Sequence, residues 1–267
     1  MKFMLTFKLN INQQTFNNNI ASAEKSPIFT SHKSSTNSLY AIKKNLLMKK
    51  TITLLIVAIL SFSNTLFSQN NERNFNQILQ TYYLEKDNML IEHSIDFFNN
   101  INPDNKNLQH LIIGFFGGLF LESPEIKNDF KNNIEKFQNE NIKKMFSSLT
   151  NENIKTIMSE YPISPSFNDM NWAAFFSTGK TEYLDLILNN CSEAENRIDI
   201  NLFLTGASAK WSLCSNSKQH EKVKEYLESN TTYREMAEEI LNSDVSELKN
   251  NIVNIIKEQR EKGIWNN

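Results

Sequence analysis

Residues that build tight turns are scarce in this chain, and this scarcity constrains the fold more than any other feature. The 267 residues include only 6 glycines and 5 prolines, far below average usage. Hairpins, barrels and glycine-rich nucleotide-binding loops depend on such residues, whereas helices do not. The chain is also 40% hydrophobic and contains 19 phenylalanines, which is enough apolar surface for a packed core. The composition therefore favours an all-α fold.

Apolar side chains recur at helical intervals almost throughout residues 69–267. The first instance combines Phe75, Ile78, Leu79 and Tyr82, which share one face of a helix. Residues 108–121 are apolar on most sides, which is typical of a central helix. We therefore expect one α-helical domain over 69–267, a compact bundle or short array of about ten antiparallel helices.

Several helix ends can be read from capping residues. Ser123-Pro124 and Ser164-Pro165 combine a capping serine with a proline that fits the first helical turn. Gly179 can adopt the left-handed conformation that closes a helix. The stretches Ser192-x-x-Glu195 and Thr232-x-x-Glu235 match the capping box. They predict a long helix from about 192 through 213 and another helix that begins at 232.

Residues 48–68 have the layout of a secretory signal peptide. A positive start at Met48-Lys49-Lys50 precedes the apolar run Leu54–Leu60, and Ser68 is a small residue at the exit. The apolar run is shorter than the roughly 20 residues of a membrane-spanning helix. We expect cleavage after Ser68, export to the periplasm or the cell exterior, and no stable membrane anchor. An uncleaved N-terminal anchor helix is the alternative.

Residues 1–47 precede this signal and are rich in asparagine, serine and lysine. Such a composition does not pack into a core. We interpret 1–47 as a disordered extension that arises from a misassigned start, with Met48 as the true first residue.

The charge of residues 69–267 argues against nucleic-acid binding. This part contains 29 acidic and 20 basic residues. A phosphate backbone binds clustered positive charge. We therefore expect a protein partner or an apolar small molecule rather than a nucleic acid.

Motifs for catalysis or cofactor binding are incomplete. Residues 174–181 resemble a phosphate-binding loop, but Ala174 stands where the motif requires glycine and a helical pattern precedes it. A helix end followed by a solvated Lys180 is the simpler interpretation. The histidines lack metal-ligand spacing, namely His93, His110 and His220. We expect no cofactor and no metal, and we assign no catalytic residue.

Two further pairs leave alternatives open. Cys191 and Cys214 are the only cysteines, and an even pair in an exported protein invites a disulfide. They flank one predicted long helix, which would hold them too far apart unless it bends, so two buried thiols are the alternative. Asp169 and Glu182 flank the helix that contains Trp172 and are either a carboxylate pair or helix-surface charges.

The densest aromatic set consists of Trp172, Phe175, Phe176 and Trp211. Such a set packs a core or lines an apolar pocket for a ligand or peptide.

The segments around these aromatics resemble a known sequence pattern. Residues 169–179 read Asp-Met-Asn-Trp-Ala-Ala-Phe-Phe-Ser-Thr-Gly, and residues 209–213 read Ala-Lys-Trp-Ser-Leu. Together they resemble an uncharacterised family of exported bacterial all-helical proteins, over most of residues 75–228. Lys180 stands where that family has an acidic residue. The resemblance implies a helical fold and export, and it supplies no activity.

These observations give three hypotheses about function. The first is an exported α-helical interaction or binding module. The second is a carrier of an apolar small molecule in a pocket near Trp172 and Trp211. The third is a hydrolase whose residues converge only in the fold. The lack of an assembled catalytic pattern favours binding over catalysis.

Overall fold

The computed structural model describes residues 73–101 and 108–265, and every regular element in these ranges is helical. Short 3-10 helices at Ile134–Lys136 and Asn190–Glu195 directly follow the fourth and the eighth α-helix. The all-α prediction is confirmed for this part of the chain. In order, the twelve α-helices of the two described ranges are α1 (Phe75–Thr81), α2 (Leu90–Asn100), α3 (Leu108–Glu122), α4 (Pro124–Asn133), α5 (Glu140–Asn151), α6 (Ile154–Ser159), α7 (Pro165–Thr178), α8 (Glu182–Asn189), α9 (Ile200–Ser217), α10 (Glu221–Ser229), α11 (Arg234–Asn242) and α12 (Val245–Glu261).

Three predictions about the ends of the chain concern residues that the structure does not describe. The extension at 1–47 and the signal peptide at 48–68 lie outside the described residues. The prediction of one domain over 69–267 reaches beyond them and stays a prediction.

Helix α3 is the centre of the fold, as its apolar sequence predicts. It is buried at almost every position from Leu108 to Phe120. Phe116 packs 4.9 Å from Phe146 of α5 and 5.0 Å from Phe130 of α4, measured between ring centroids. These rings form an edge-and-face aromatic core, which adds favourable ring geometry to the burial of apolar area.

Helices α3 and α7 cross with their backbones in contact. A Cβ built on Gly114 would lie 2.0 Å from the carbonyl oxygen of Met170, and one on Gly118 would lie 3.3 Å from Ala174. From the first contact to the second, the position moves four residues along each helix, so the close approach continues along both. Only glycine permits this approach at position 114, because any side chain would overlap the facing backbone.

Three of the predicted helix ends are confirmed. Ser123 Oγ accepts a hydrogen bond from the Ile126 amide at 3.4 Å, and Ser164 Oγ accepts one from the Phe167 amide at 3.2 Å. Gly179 closes α7 with a φ of 71°. This left-handed conformation is accessible to glycine at little cost.

The two predicted capping boxes are wrong. Ser192 lies inside the 3-10 helix that extends α8, and α9 begins only at Ile200, where Asp199 Oδ1 accepts from the Asn201 amide at 2.7 Å. Helix α11 begins at Arg234 rather than at Thr232. There Asn230 Oδ1 accepts from the Tyr233 amide at 2.8 Å. In both cases the side-chain oxygen of a nearby Asp or Asn, rather than the predicted hydroxyl, accepts from a backbone amide at the start of the helix.

None of the helices within residues 73–101 and 108–265 combines the length and the apolar character that a membrane span requires.

Candidate functional site

The aromatic set predicted from the sequence lies mainly inside α7, where its rings pack on one another. Trp172 stacks on Phe176 with ring centroids 5.5 Å apart and meets the edge of Phe175 at 5.9 Å. Tyr83, which follows α1, lies 5.1 Å from Phe175, and His220, which precedes α10, lies 4.9 Å from Phe176. We call these five residues the aromatic cluster.

The polar edge of Trp172 is also engaged. Its indole Nε1–H donates to Ser212 Oγ of α9 at 2.9 Å, and only 5% of Trp172 is exposed. Trp211 is the neighbour of Ser212 and is half-buried. The structure therefore brings Trp172, Phe175 and Phe176 together and leaves Trp211 at the edge of the same region. The predicted apolar pocket at these four residues stays a prediction.

Away from the aromatic cluster, a concave surface along α2 encloses a volume of about 430 Å³. The Asn99 side chain joins its two walls, because Nδ2 donates to the Lys136 carbonyl at 3.1 Å and Oδ1 accepts from the Gln138 amide at 2.7 Å. Six of its seven lining residues are polar or charged, and the seven are Glu92, Ile95, Asp96, Asn99, Asn100, Lys136 and Gln138.

Tyr83 and His220 join the aromatic cluster to the surface. The Tyr83 hydroxyl and His220 Nδ1 are hydrogen-bonded at 3.0 Å. Burial lowers the pKa of His220 below its usual value and raises the pKa of Tyr83. Both groups are therefore neutral at pH 7, and they tie the connection before α10 to the residues that follow α1.

The residues between α1 and α2, Tyr82 to Met89, form what we call the α1–α2 turn. Arg73 holds it from outside: Nη1 donates to the Glu85 carbonyl at 3.0 Å and Nη2 donates to the Lys86 carbonyl at 3.3 Å. Nη1 also donates to Thr81 Oγ1 at 3.1 Å. One guanidinium group thus connects the side chain of the last residue of α1 to the backbone in the middle of the turn, and its planar donors keep a rigid geometry.

Further contacts fix the rest of the turn. The Tyr83 amide donates to the Phe176 carbonyl at 2.9 Å, which attaches the turn to the end of α7. Asp87 Oδ2 bonds His93 Nδ1 of α2 at 2.8 Å, and Asp87 Oδ1 accepts from the Met89 amide at 3.2 Å. The ammonium group of Lys86 lies 4.6 Å from the ring centroid of Tyr82, a favourable cation–π geometry.

Two apolar side chains of this well-fixed turn face solvent. Leu84 is 67% exposed and Met89 is 54% exposed. Sequence reasoning missed this surface, although the two apolar residues in the polar stretch Leu84-Glu-Lys-Asp-Asn-Met89 are a visible signal. The hydrogen bonds that hold the turn could not be predicted, because Arg73 reaches the Glu85 and Lys86 carbonyls only once the turn has folded back.

The other predicted residues serve local roles. Asp169 lies 3.7 Å from His110 of α3, measured between Oδ2 and Nε2, while Glu182 is an exposed residue of the first turn of α8. Burial raises the pKa of Asp169 to about 6 and lowers the pKa of His110 to about 4. The partner that the structure gives to Asp169 is thus a buried, neutral histidine.

Both cysteines are free and buried, which agrees with the two-thiol interpretation. Cys214 Sγ lies 3.3 Å from the Ser243 carbonyl. Burial raises the pKa of Cys191 to about 12 and also raises that of Cys214. Because the thiolate is the reactive form, neither is suited to nucleophilic catalysis at neutral pH.

The segment that resembles a phosphate-binding loop is a helix end. Gly179 closes α7, and Lys180 Nζ pairs with Glu122 Oε1 at 2.5 Å. Within the part of the chain that the structure describes, no group of three or more His, Cys, Asp or Glu side chains could hold a metal ion.

Comparisons of the chain with protein-family models, with curated proteins and with solved structures find no match. The resemblance drawn from the Trp-containing segments therefore stays a prediction, and the case for function rests on the contacts of the described residues.

Proposed function

We propose that the protein is an exported α-helical binding module that contacts a protein partner through the α1–α2 turn. The observation that supports this proposal is that hydrogen bonds hold the backbone of the turn while two of its apolar side chains are exposed. The exposed fraction is 67% for Leu84 and 54% for Met89. Single exposed apolar residues are common on protein surfaces. Two of them on one turn that many polar contacts hold in place are a stronger signal.

Order in the free protein favours binding. A partner that contacts a mobile loop must overcome the entropy of fixing that loop, whereas a rigid turn has already met this cost during folding. Arg73, Asp87 and Tyr83 supply the contacts that keep the backbone in place. Binding residues are often found on loops that a rigid scaffold positions.

A protein partner fits this surface better than an apolar small molecule does. Small molecules bind in concave sites that enclose most of their surface. The rings of Trp172 and Phe176 stack on each other, and six of the seven residues that line the concave surface along α2 are polar or charged. The carrier near Trp172 and Trp211 remains the alternative. Native mass spectrometry of the purified protein with fatty acids and sterols would support it if a complex formed.

Photo-crosslinking tests the proposal directly. A photoreactive amino acid is placed at position 84 and, as a matched control, at Ile163, which is 61% exposed between α6 and α7. Illumination of the source cells should give one discrete adduct from position 84 and none of that mass from position 163. The adduct is identified by mass spectrometry, and the partner is then purified.

Binding to the purified partner supplies the quantitative step. The double variant Leu84→Ser/Met89→Ser should weaken binding at least about tenfold, which corresponds to about 1.4 kcal/mol, while Ile163→Ser should bind as the wild type does. Equal adducts from both positions, or equal affinities for all three proteins, would contradict the proposal.

A further inference from the structure

We propose that Asn230 is an acceptor for N-linked glycosylation. The chain contains Asn230-Thr231-Thr232, and Asn-x-Ser/Thr without proline at the middle position is the acceptor sequence for that modification. The inference rests on the export that the proposed function includes, because this acceptor sequence is used on surface loops of secreted proteins. It does not depend on the partner or on the α1–α2 turn.

The local structure presents this segment to solvent. Helix α10 ends at Ser229, and Asn230 has extended backbone angles, with φ at −73° and ψ at 111°. Thr231 and Thr232 are exposed and lie outside regular helix. Asn230 itself is half-buried. Because it lies between two helices, it can enter the active site of a transferase without unfolding either of them.

The hydrogen bonds of Asn230 leave room for the modification. Its Oδ1 accepts from the Tyr233 amide at 2.8 Å, and this oxygen keeps its role when the amide nitrogen carries a sugar. The side chain also interacts with Tyr226, whose hydroxyl donates to Asp185 Oδ1 at 2.6 Å. The interaction between Asn230 and Tyr226 has to open for the modification.

A second acceptor sequence in the chain, Asn190-Cys191-Ser192, supplies an internal comparison. Asn190 is 7% exposed, and its Nδ2 donates to Asn168 Oδ1 at 2.8 Å. It lies in the 3-10 helix between α8 and α9. A transferase cannot reach this asparagine in the folded protein, so the structure selects Asn230 of the two.

The reaction is a substitution without oxidation or reduction. A lipid-linked oligosaccharyl diphosphate is the donor. Asn230 Nδ2 forms a bond to the anomeric carbon of the first sugar, the bond from that carbon to the diphosphate oxygen breaks, and the lipid diphosphate leaves with the electron pair. The amide nitrogen loses one proton to a base of the enzyme.

The full chain is expressed in bacteria that carry a periplasmic oligosaccharyltransferase and its lipid-linked donor, and its intact mass and glycopeptides are measured. We expect one glycan, on Asn230. Asn230→Asp keeps the oxygen that accepts from Tyr233 and should abolish the modification, as should Thr232→Ala. Thr232→Ser should retain it.

Ser192→Ala is the matched control, because it destroys the second acceptor sequence at an exposed side chain without altering Asn190. This variant should be modified as the wild type is. An unmodified wild-type protein, in cells that glycosylate a standard acceptor protein, overturns the proposal. Modification that survives Thr232→Ala or disappears with Ser192→Ala also overturns it. Crosslinking from position 84 is unaffected in either case, so the two proposals fail separately.

Discussion

The aromatic cluster and the α1–α2 turn share Tyr83, yet they differ in the exposure of their apolar side chains. In the cluster, Trp172 and Phe176 are each 5% exposed and stack on each other. In the turn, polar contacts from Arg73 and Asp87 fix the backbone, while Leu84 is 67% exposed. Burial stabilises the cluster, whereas hydrogen bonds hold the part of the turn that contains Leu84.

This difference shows that aromatic density is a poor guide to a binding surface. A ring that stacks on another ring has already gained most of its burial energy inside the chain. An apolar side chain that a rigid backbone keeps in water has not yet gained the free energy of burial, so this free energy is still available when a partner binds. If the comparison is right, substitutions in the cluster should affect stability, and substitutions in the turn should affect binding.

The largest expected effect is at Trp172. Trp172→Ala removes a buried ring and leaves Ser212 without the donor it accepts from, so we expect a loss of about 3–5 kcal/mol in the free energy of unfolding. Urea unfolding followed by circular dichroism measures it. Trp172→Phe keeps a ring and should lose far less. A loss below about 1 kcal/mol for the alanine variant would show that the cluster is not part of the core.

Arg73→Ala should come next, because it removes the guanidinium that bonds the Thr81 side chain and the Glu85 and Lys86 carbonyls. We expect a loss of about 1–2 kcal/mol together with weaker partner binding. Arg234→Ala, at an exposed position at the start of α11, is the control. A binding affinity that does not change in Arg73→Ala would break the link between order in the turn and recognition.

Acidification should loosen the contact between the two regions. Burial lowers the pKa of His220, so the fold favours the neutral imidazole beside Tyr83 and Phe176. The stability from this group is fully present above the unfolded pKa of about 6.5 and is lost as the pH falls through the lowered value. Melting temperatures between pH 7.5 and 4.5 should therefore fall more steeply for the wild type than for His220→Gln. Equal slopes would mean that His220 does not link protonation to folding.

The smallest effect on stability should come from Leu84→Ser/Met89→Ser. Both side chains are mostly in water, and surface substitutions usually change the free energy of unfolding by no more than about 0.5 kcal/mol. The same variant should show the largest loss of partner binding. A loss of stability above about 1 kcal/mol would mean that the two side chains pack against the protein in solution.

Local rules of the sequence predict much of the fold and little of the proposed site. The helical period placed α3 at the centre, and capping chemistry located the ends at Ser123, Ser164 and Gly179, because these features depend on neighbouring residues. The capping boxes at Ser192 and Thr232 failed where an Asp or Asn nearby supplied the acceptor instead.

The α1–α2 turn depends on partners that are distant in the chain. The Tyr83 amide bonds the Phe176 carbonyl, and its hydroxyl bonds His220. No periodicity or motif encodes such pairs. The approach of Gly114 to Met170 was missed for the same reason.

Hydrogen exchange of the full chain without any partner tests the central claim, that the α1–α2 turn is ordered before binding. The amides of Tyr83, Leu84 and Glu85 donate to carbonyls of Phe176 and Thr81 at 2.9, 2.9 and 3.0 Å. We predict that these three amides exchange at least about a hundredfold more slowly than free amides, which corresponds to about 2.7 kcal/mol of protection, and that Arg73→Ala removes most of this protection. Exchange of these amides at the rate of an unstructured loop in the wild type would contradict the account.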